Sequence, residues 1–123
     1  MKYKTMKRAN PQNREEMLYY PAPIFGEQIG EDELTAEISF ASSVNQSDVR
    51  SVLSNLLEIL PRHLMHGDSV NLEKFGIFRM SFEATESEKA EDVSATNITR
   101  PKILFRPSVK LKEKILKTSF VRQ

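Results

Sequence analysis

The stretch from 67 to 82, GDSVNLEKFGIFRMSF, constrains the fold most, because it ends a helix, turns the chain and starts a hairpin. Gly67 follows a long segment with apolar residues at helical spacing, and glycine readily adopts the left-handed conformation of a helix C-cap. Val70 then begins an alternating pattern, which predicts a short strand. Gly76 lies between large apolar residues, as at a bulge or a tight strand corner. Apolar residues recur at every second position beyond it: Phe78, Met80 and Phe82.

Two helices are predicted before this stretch. The first spans about Glu31 to Ala41 and has acids in its first turn, where they complement the helix dipole. Asn45 or Ser47 caps the second helix. Its apolar positions follow three- and four-residue spacing: Val49, Val52, Leu53, Leu56, Leu57, Leu60 and Leu64. This stripe is too wide for a lone surface helix, so we expect a homodimer. Pro61 predicts a kink or a restart of the helix.

The first thirty residues are predicted to form a separate β-type extension. Polar and apolar residues alternate from Lys2 to Arg8, and the sequence Asn-Pro-Gln-Asn at 10–13 is a strong turn signal. Residues 18–20 form a second strand candidate, which Pro21 and Pro23 are expected to close. Its two tyrosines are interpreted as packing residues, with a base-stacking platform as the alternative.

Composition narrows the possible functions of the 123-residue chain, which has the length of one domain. It has no cysteine, so it forms neither disulfides nor thiolate metal sites. No apolar run approaches the length of a membrane span, and we expect a cytoplasmic protein. His63 and His66 lack a third nearby ligand and are interpreted as cations near a helix C-terminus. We find no nucleophile–base pair and no glycine-rich phosphate loop, so neither an enzyme, a cofactor, a metal nor a small-molecule ligand is predicted.

Charge is strongly segregated along the chain, although the net charge is only +1. Residues 1–20 carry +3, residues 21–50 carry −5, residues 81–99 carry −4 and residues 100–123 carry +7. An electrostatic partner should therefore contact the two ends of the chain.

A basic strand and helix follow the acidic stretch EATESEKAEDVSATN, which is predicted to be an exposed arm or loop. Residues 100–107 form the returning strand. Ser108 caps a last helix from Val109 to about Thr118, which carries Lys110, Lys114 and Lys117 on one face.

The order of these elements and two motifs resemble the bacterial HU and integration host factor family over residues 31–118. The first motif comprises Gly67, Asp68, Val70, Leu72, Phe75, Gly76 and Phe78; the second comprises Phe105, Arg106 and Pro107, followed by Leu111 and Lys112. The N-terminal addition is similar to that of extended HU-related proteins. The resemblance implies an α+β fold with two helices, a β-hairpin sheet with a protruding arm at about 83–99, and a basic C-terminal helix. We therefore expect an extension at 1–30 and an HU-like DNA-binding domain at 31–123.

The resemblance also implies a nucleoid-associated homodimer whose arms embrace double-stranded DNA and bend it, contacting backbone and minor groove without strong sequence preference. The DNA-binding residues expected here are Arg100, Lys102, Arg106, Lys110, Lys112, Lys114, Lys117 and Lys89. Lys2, Lys4, Lys7 and Arg8 could add a second basic patch.

This chain departs from the family pattern in the arm. Family arms carry a tip proline that inserts between base steps, but residues 83–97 contain no proline, no arginine and only Lys89 among five acids. The strand positions that usually hold arginines are occupied by Ser81 and Glu83, and Val109 replaces the lysine that commonly opens the last helix. These departures predict weak bending at most. The alternative function is an HU-like scaffold that has lost DNA bending and serves as a protein-interaction module.

Overall fold

The computed structural model describes all 123 residues and has an α+β architecture of three helices and two three-stranded sheets. The N-terminal sheet has strand order β2-β1-β6, and the second sheet has strand order β3-β4-β5. The elements are β1 (Lys2–Asn10), β2 (Asn13–Pro23), α1 (Glu31–Ser42), α2 (Gln46–Met65), β3 (Val70–Asn71), β4 (Gly76–Ala84), β5 (Ile98–Pro107), α3 (Val109–Leu116) and β6 (Val121–Arg122). The predicted α+β class is confirmed.

Local capping chemistry sets both ends of α2. The Asn45 side chain accepts a hydrogen bond from the Asp48 N–H at 2.9 Å, as expected of an N-cap. At the other end Gly67 has φ +91°, and the N–H of Asp68 donates to the His63 carbonyl at 3.1 Å, which completes a Schellman motif. Of the kink or restart expected at Pro61, the restart is wrong, because α2 continues through Pro61 to Met65 as one helix.

The β4–β5 hairpin is paired closely at its base. Gly76 lies opposite Pro107, and a Cβ added to Gly76 would come within 2.5 Å of the Arg106 carbonyl oxygen. Only glycine fits this corner, which agrees with the tight strand corner predicted there. The predicted strand before the corner is shorter than expected, since β3 covers only Val70–Asn71 and Leu72 lies in the turn.

The N-terminal sheet combines both ends of the chain. β1 pairs with β2 in an antiparallel hairpin, and β6 adds to the other side of β1 in parallel, with Lys2 opposite Val121. The expected closure of the second strand by its prolines is wrong, because β2 runs through Pro21 to Pro23. The Ile24 N–H donates to the Lys2 carbonyl at 3.0 Å. The backbone N–H and C=O groups of even-numbered residues in β2 therefore point toward β1, while the backbone nitrogens of Pro21 and Pro23 point away from it. Proline is tolerated there because no ladder hydrogen bond is lost.

The core of the single chain is small. Only four of the 123 residues are buried, and Val49 and Leu64 of α2 are the buried apolar ones. A flank of α2 lies open beside them, and we call it the exposed α2 flank: Val52, Leu56 and Ile59. Tyr19 is 70% exposed, so the interpretation of this tyrosine as a packing residue is wrong within one chain.

Candidate nucleic-acid interface

One face of β5 carries three of the predicted DNA-binding residues. Side chains alternate along a strand, so Arg100, Lys102 and Arg106 share a face while Phe105 lies on the other. Phe105 stacks there with Phe78, with ring centroids 4.7 Å apart. The aromatic cluster therefore anchors one side of the hairpin and leaves the cations on the other.

Arg79 belongs to the same basic face, although sequence reasoning did not single it out. It lies opposite Leu104 in the β4–β5 register, and residues directly opposite each other in a sheet share a face. It also shares a groove of about 550 Å³ with Arg106. The alternation of Phe78, Met80 and Phe82 in the sequence was enough to place Arg79 on the opposite, polar face of the strand. We call the four cations Arg79, Arg100, Lys102 and Arg106 the hairpin basic face.

The positive charge of the hairpin basic face decreases toward the arm tip. Glu83 lies opposite Arg100, and the Nη2 atom of Arg100 is 3.5 Å from the Oε1 atom of Glu83. Both side chains are exposed, and such a pair contributes little to stability, about 0–1 kcal/mol. It does place an anion beside Arg100. Ser81, opposite Lys102, is neutral, so Arg79, Lys102 and Arg106 are the cations without an acid opposite them in the register.

Helix α3 presents a second group of cations. Ser108 fixes its start, because its Oγ accepts from the Leu111 N–H at 3.0 Å and donates to the Lys74 carbonyl at 2.6 Å. Helical periodicity then places Lys110, Lys114 and Lys117 along one face. Lys112 lies on a different side of this helix, about 200° around from Lys110 at 100° per residue. We call the first three residues the helix basic face.

Lys89 lies apart from both basic faces, in the loop between β4 and β5. This loop, residues 85–97, contains two short 3₁₀ turns, and the Asn97 side chain closes it by donating to the Thr85 carbonyl at 3.1 Å and to the Ser87 Oγ at 2.9 Å. Four acids surround Lys89 in sequence: Glu86, Glu88, Glu91 and Asp92. The tip loop is therefore a defined structure with an excess of negative charge.

The remaining candidate sites offer little chemistry. The His63 Nδ1 atom lies 3.2 Å from the Asp68 Oδ2 atom, and no group of three or more His, Cys, Asp or Glu side chains could hold a metal ion. None of the three helices has the length and apolar character needed to cross a membrane.

A family model described as HU-HIG, an HU domain fused to wHTH, Ig, or glycine-rich motif, matches residues 1–122. No curated protein matches the chain significantly.

Three solved structures share the fold. A mutant HU from Thermotoga maritima is 21% identical, with a TM-score of 0.53 over 71% of this chain and 99% of that chain. The HU of Anabaena, in a cocrystal with DNA, is 23% identical, with a TM-score of 0.55 over 73% of this chain and 100% of that chain. A candidate DNA-binding protein from Bacteroides vulgatus is 14% identical, with a TM-score of 0.67. That match covers 98% of this chain but only 47% of the Bacteroides protein.

Proposed function

We propose that this chain, which belongs to the HU-HIG family of HU domains, is a nucleoid-associated homodimer that binds double-stranded DNA through the phosphate backbone. The observation that carries the proposal is the hairpin basic face, on which Arg79, Lys102 and Arg106 are free of acids opposite them in the register. The HU of Anabaena, which has the same fold, was crystallised with DNA. We assign the HU-like domain to residues 31–123, with 1–30 as an extension that pairs with β6.

Largely sequence-independent binding follows from the kind of residues on these surfaces. Lysine and arginine neutralise phosphates and release counterions, which supplies most of the free energy of nonspecific binding. Phosphate contacts set the position of a protein on the duplex but carry no sequence information themselves. The helix basic face, Lys110, Lys114 and Lys117, would add three such contacts on each chain.

The dimer is supported by the area that one chain leaves exposed. A compact protein of 14.1 kDa exposes about 6,700 Å². This chain exposes 10976 Å², an excess of roughly 4,000 Å² over that expectation. Two chains together therefore expose roughly 8,000 Å² in excess, and an intertwined, obligate dimer that buries about 2,000–5,000 Å² in total would remove a large part of it.

We propose that bending by this protein is weak. Arms that kink DNA insert an apolar wedge between base steps, but residues 83–97 contain no proline and hold five acids against Lys89. Carboxylates near phosphates are repelled, so the tip loop would stay outside the minor groove. The DNA contacts would then be concentrated at the base of the hairpin and along α3.

The test is the binding of labelled duplex DNA, measured by fluorescence anisotropy over a salt series. Each neutralised phosphate contributes about −0.9 to the slope of log affinity against log salt concentration. The triple variant Arg79→Gln, Lys102→Gln and Arg106→Gln removes three contacts from each chain. If each cation contacts one phosphate, the slope becomes shallower by about 2.7 per bound chain.

One control accompanies this variant. Arg14→Gln removes an arginine near the turn of the β1–β2 hairpin. It is expected to leave the slope unchanged. An equal slope for the triple variant and the wild type would refute the assignment of the hairpin basic face.

The second candidate function is a protein-interaction module, favoured by the acidic tip loop that Asn97 closes. An ordered, negatively charged projection is suited to a basic protein partner and unsuited to DNA. No DNA binding even at low salt would favour this candidate over the first.

A further inference from the structure

The central strand of the N-terminal sheet has an open edge. β2 pairs with β1 along its length, from Tyr3 to Asn10, whereas β6 pairs only with Lys2 and Tyr3. No strand continues beside β1 after Tyr3 on the side of β6. The edge from Thr5 to Ala9 is therefore unpaired, and we call it the open β1 edge.

The observed hydrogen bonds define which backbone groups the open β1 edge presents. The Val121 N–H donates to the Met1 carbonyl at 3.0 Å, and the Gln123 N–H donates to the Tyr3 carbonyl at 2.9 Å. The odd-numbered residues of β1 thus direct their backbone groups toward β6, and the even-numbered residues direct theirs toward β2. Thr5, Lys7 and Ala9 consequently present N–H and C=O groups without a strand partner.

The opposite edge of this sheet belongs to β2, and two prolines block it near the end where β6 pairs with β1. Pro21 and Pro23 lie at outward-facing positions of β2 and have no N–H to donate there. Prolines on an edge strand prevent another strand from pairing with it. The open β1 edge is not blocked in this way, and β6 demonstrates that it accepts a parallel strand.

The two faces beside the open β1 edge differ in chemistry. On the odd-numbered face lies a groove of about 610 Å³, lined by Tyr3, Thr5, Tyr19, Pro21 and Phe120 among others. Aromatic and proline side chains of this kind suit apolar side chains of a ligand.

The even-numbered face of β1 carries Lys2, Lys4, Met6 and Arg8, whereas Lys7 is the one cation of β1 on the odd-numbered face. Lys2 also borders the groove. Arg8 lies over the Tyr20 ring at 5.2 Å, which holds its guanidinium on this face. A strand added beside β1 would have its side chains alternate between these two environments.

We propose that the open β1 edge binds an extended peptide as an added strand, parallel to β1 and in line with β6. The side chains of this peptide alternate between apolar residues on the groove face and acidic residues on the face of Lys4 and Arg8. Main-chain hydrogen bonds supply affinity in such strand addition, and the alternating side chains supply specificity. The site is separate from both basic faces, so this inference does not depend on DNA binding.

The probe is a ten-residue peptide of alternating valine and glutamate with acetylated and amidated ends, added to the full chain. Amide hydrogen exchange is followed by NMR. We expect the exchange of the Thr5, Lys7 and Ala9 amides to slow at least tenfold when the peptide binds. The amides of Met6 and Arg8 already face β2, so their exchange should change little.

Peptide variants separate strand addition from simple charge attraction. N-methylation of one alternating set of peptide residues removes the N–H groups that would face β1 and should abolish binding, whereas N-methylation of the other set should preserve it. Replacing glutamate by lysine in the peptide should weaken binding at least tenfold. Equal binding of both N-methylated peptides would overturn strand addition.

Protein variants provide a matched comparison. Thr5→Pro removes one N–H from the open β1 edge, and Met17→Pro removes one from the outer edge of β2. Only Thr5→Pro should prevent binding. Lys4→Glu with Arg8→Glu leaves the backbone intact and should weaken binding of the glutamate peptide.

Two outcomes would reject the proposal outright. If the wild-type protein does not bind the valine–glutamate peptide, peptides of alternating apolar and acidic residues are rejected as ligands. Slowed exchange of Thr5 and Lys7 that depends on protein concentration alone would assign the edge to a second copy of the chain.

Discussion

The exposed α2 flank provides the sharpest test of the dimer. Leu56 lies in the middle of this flank, between Val52 and Ile59, and none of the three is buried in a single chain. Leu56→Glu should therefore be tolerated by an isolated monomer, since the new carboxylate would remain in water. In a dimer that covers the flank, the same substitution would bury a charge without a partner.

The expected magnitude follows from burying one such charge on each chain of the proposed dimer. An unpaired charge in a buried interface costs about 3–5 kcal/mol, and a symmetric dimer carries the substitution twice. Each 1.4 kcal/mol weakens association about tenfold, so the dimer should weaken by at least about four orders of magnitude. Since one chain leaves roughly 4,000 Å² more surface exposed than a compact protein, we expect the separated chains to lose cooperative unfolding as well.

The assay combines sedimentation equilibrium with urea unfolding at 1 and 100 μM protein. Stability of the wild type should rise by about 1.4 kcal/mol for each tenfold increase in concentration, because unfolding is coupled to dissociation. Ser51→Glu is the control, since Ser51 lies on the opposite side of α2 from the apolar positions and is exposed. A wild-type mass of 14.1 kDa with a concentration-independent urea midpoint would refute the dimer. A dimeric Leu56→Glu variant of wild-type stability would show that the interface lies elsewhere.

Two further predictions concern how the basic faces are held. Gly76→Ala should destabilise the protein by about 3 kcal/mol in urea unfolding, the upper end for overpacking, because the added Cβ meets the Arg106 carbonyl oxygen at 2.5 Å. Gly26→Ala is its control, since nothing lies within 4 Å there, and an equal effect of both substitutions would contradict the close approach. Ser108→Ala should cost about 1–2 kcal/mol in the same assay, because it removes the N-cap of α3 and its hydrogen bond to the Lys74 carbonyl. A change below about 0.3 kcal/mol would show that α3 does not depend on this cap.

Elements governed by local chemistry were predictable from the sequence. Gly67 ends α2 because a left-handed residue is required there, and Asn45 and Ser108 begin helices because their side chains accept backbone N–H groups. The β1–β2 hairpin was indicated by the Asn-Pro-Gln-Asn turn. In each case, neighbouring residues contain the whole signal.

Features that depend on distant pairing were not predictable. β6 is only two residues long, and it is a strand solely because β1, more than a hundred residues earlier, presents an edge to it. Pro21 and Pro23 resemble strand terminators until the register shows that they face away from β1. The period-two pattern places Arg79 on the polar face of β4, but only the β4–β5 register shows that Lys102 and Arg106 share this face.

The distribution of charge along the hairpin determines which form of DNA binding this chain can support. From base to tip the hairpin carries Arg106 and Arg79, then Lys102, then Arg100 beside Glu83, and finally the acidic loop. Attraction to phosphate therefore decreases along the arm and reverses at the tip. An arm that wraps DNA requires attraction along its whole length. The arm of this chain should therefore not lengthen the stretch of DNA that the protein contacts. It follows that neutralising Arg106 should weaken binding more than neutralising Arg100, and that neutralising the tip acids should strengthen binding.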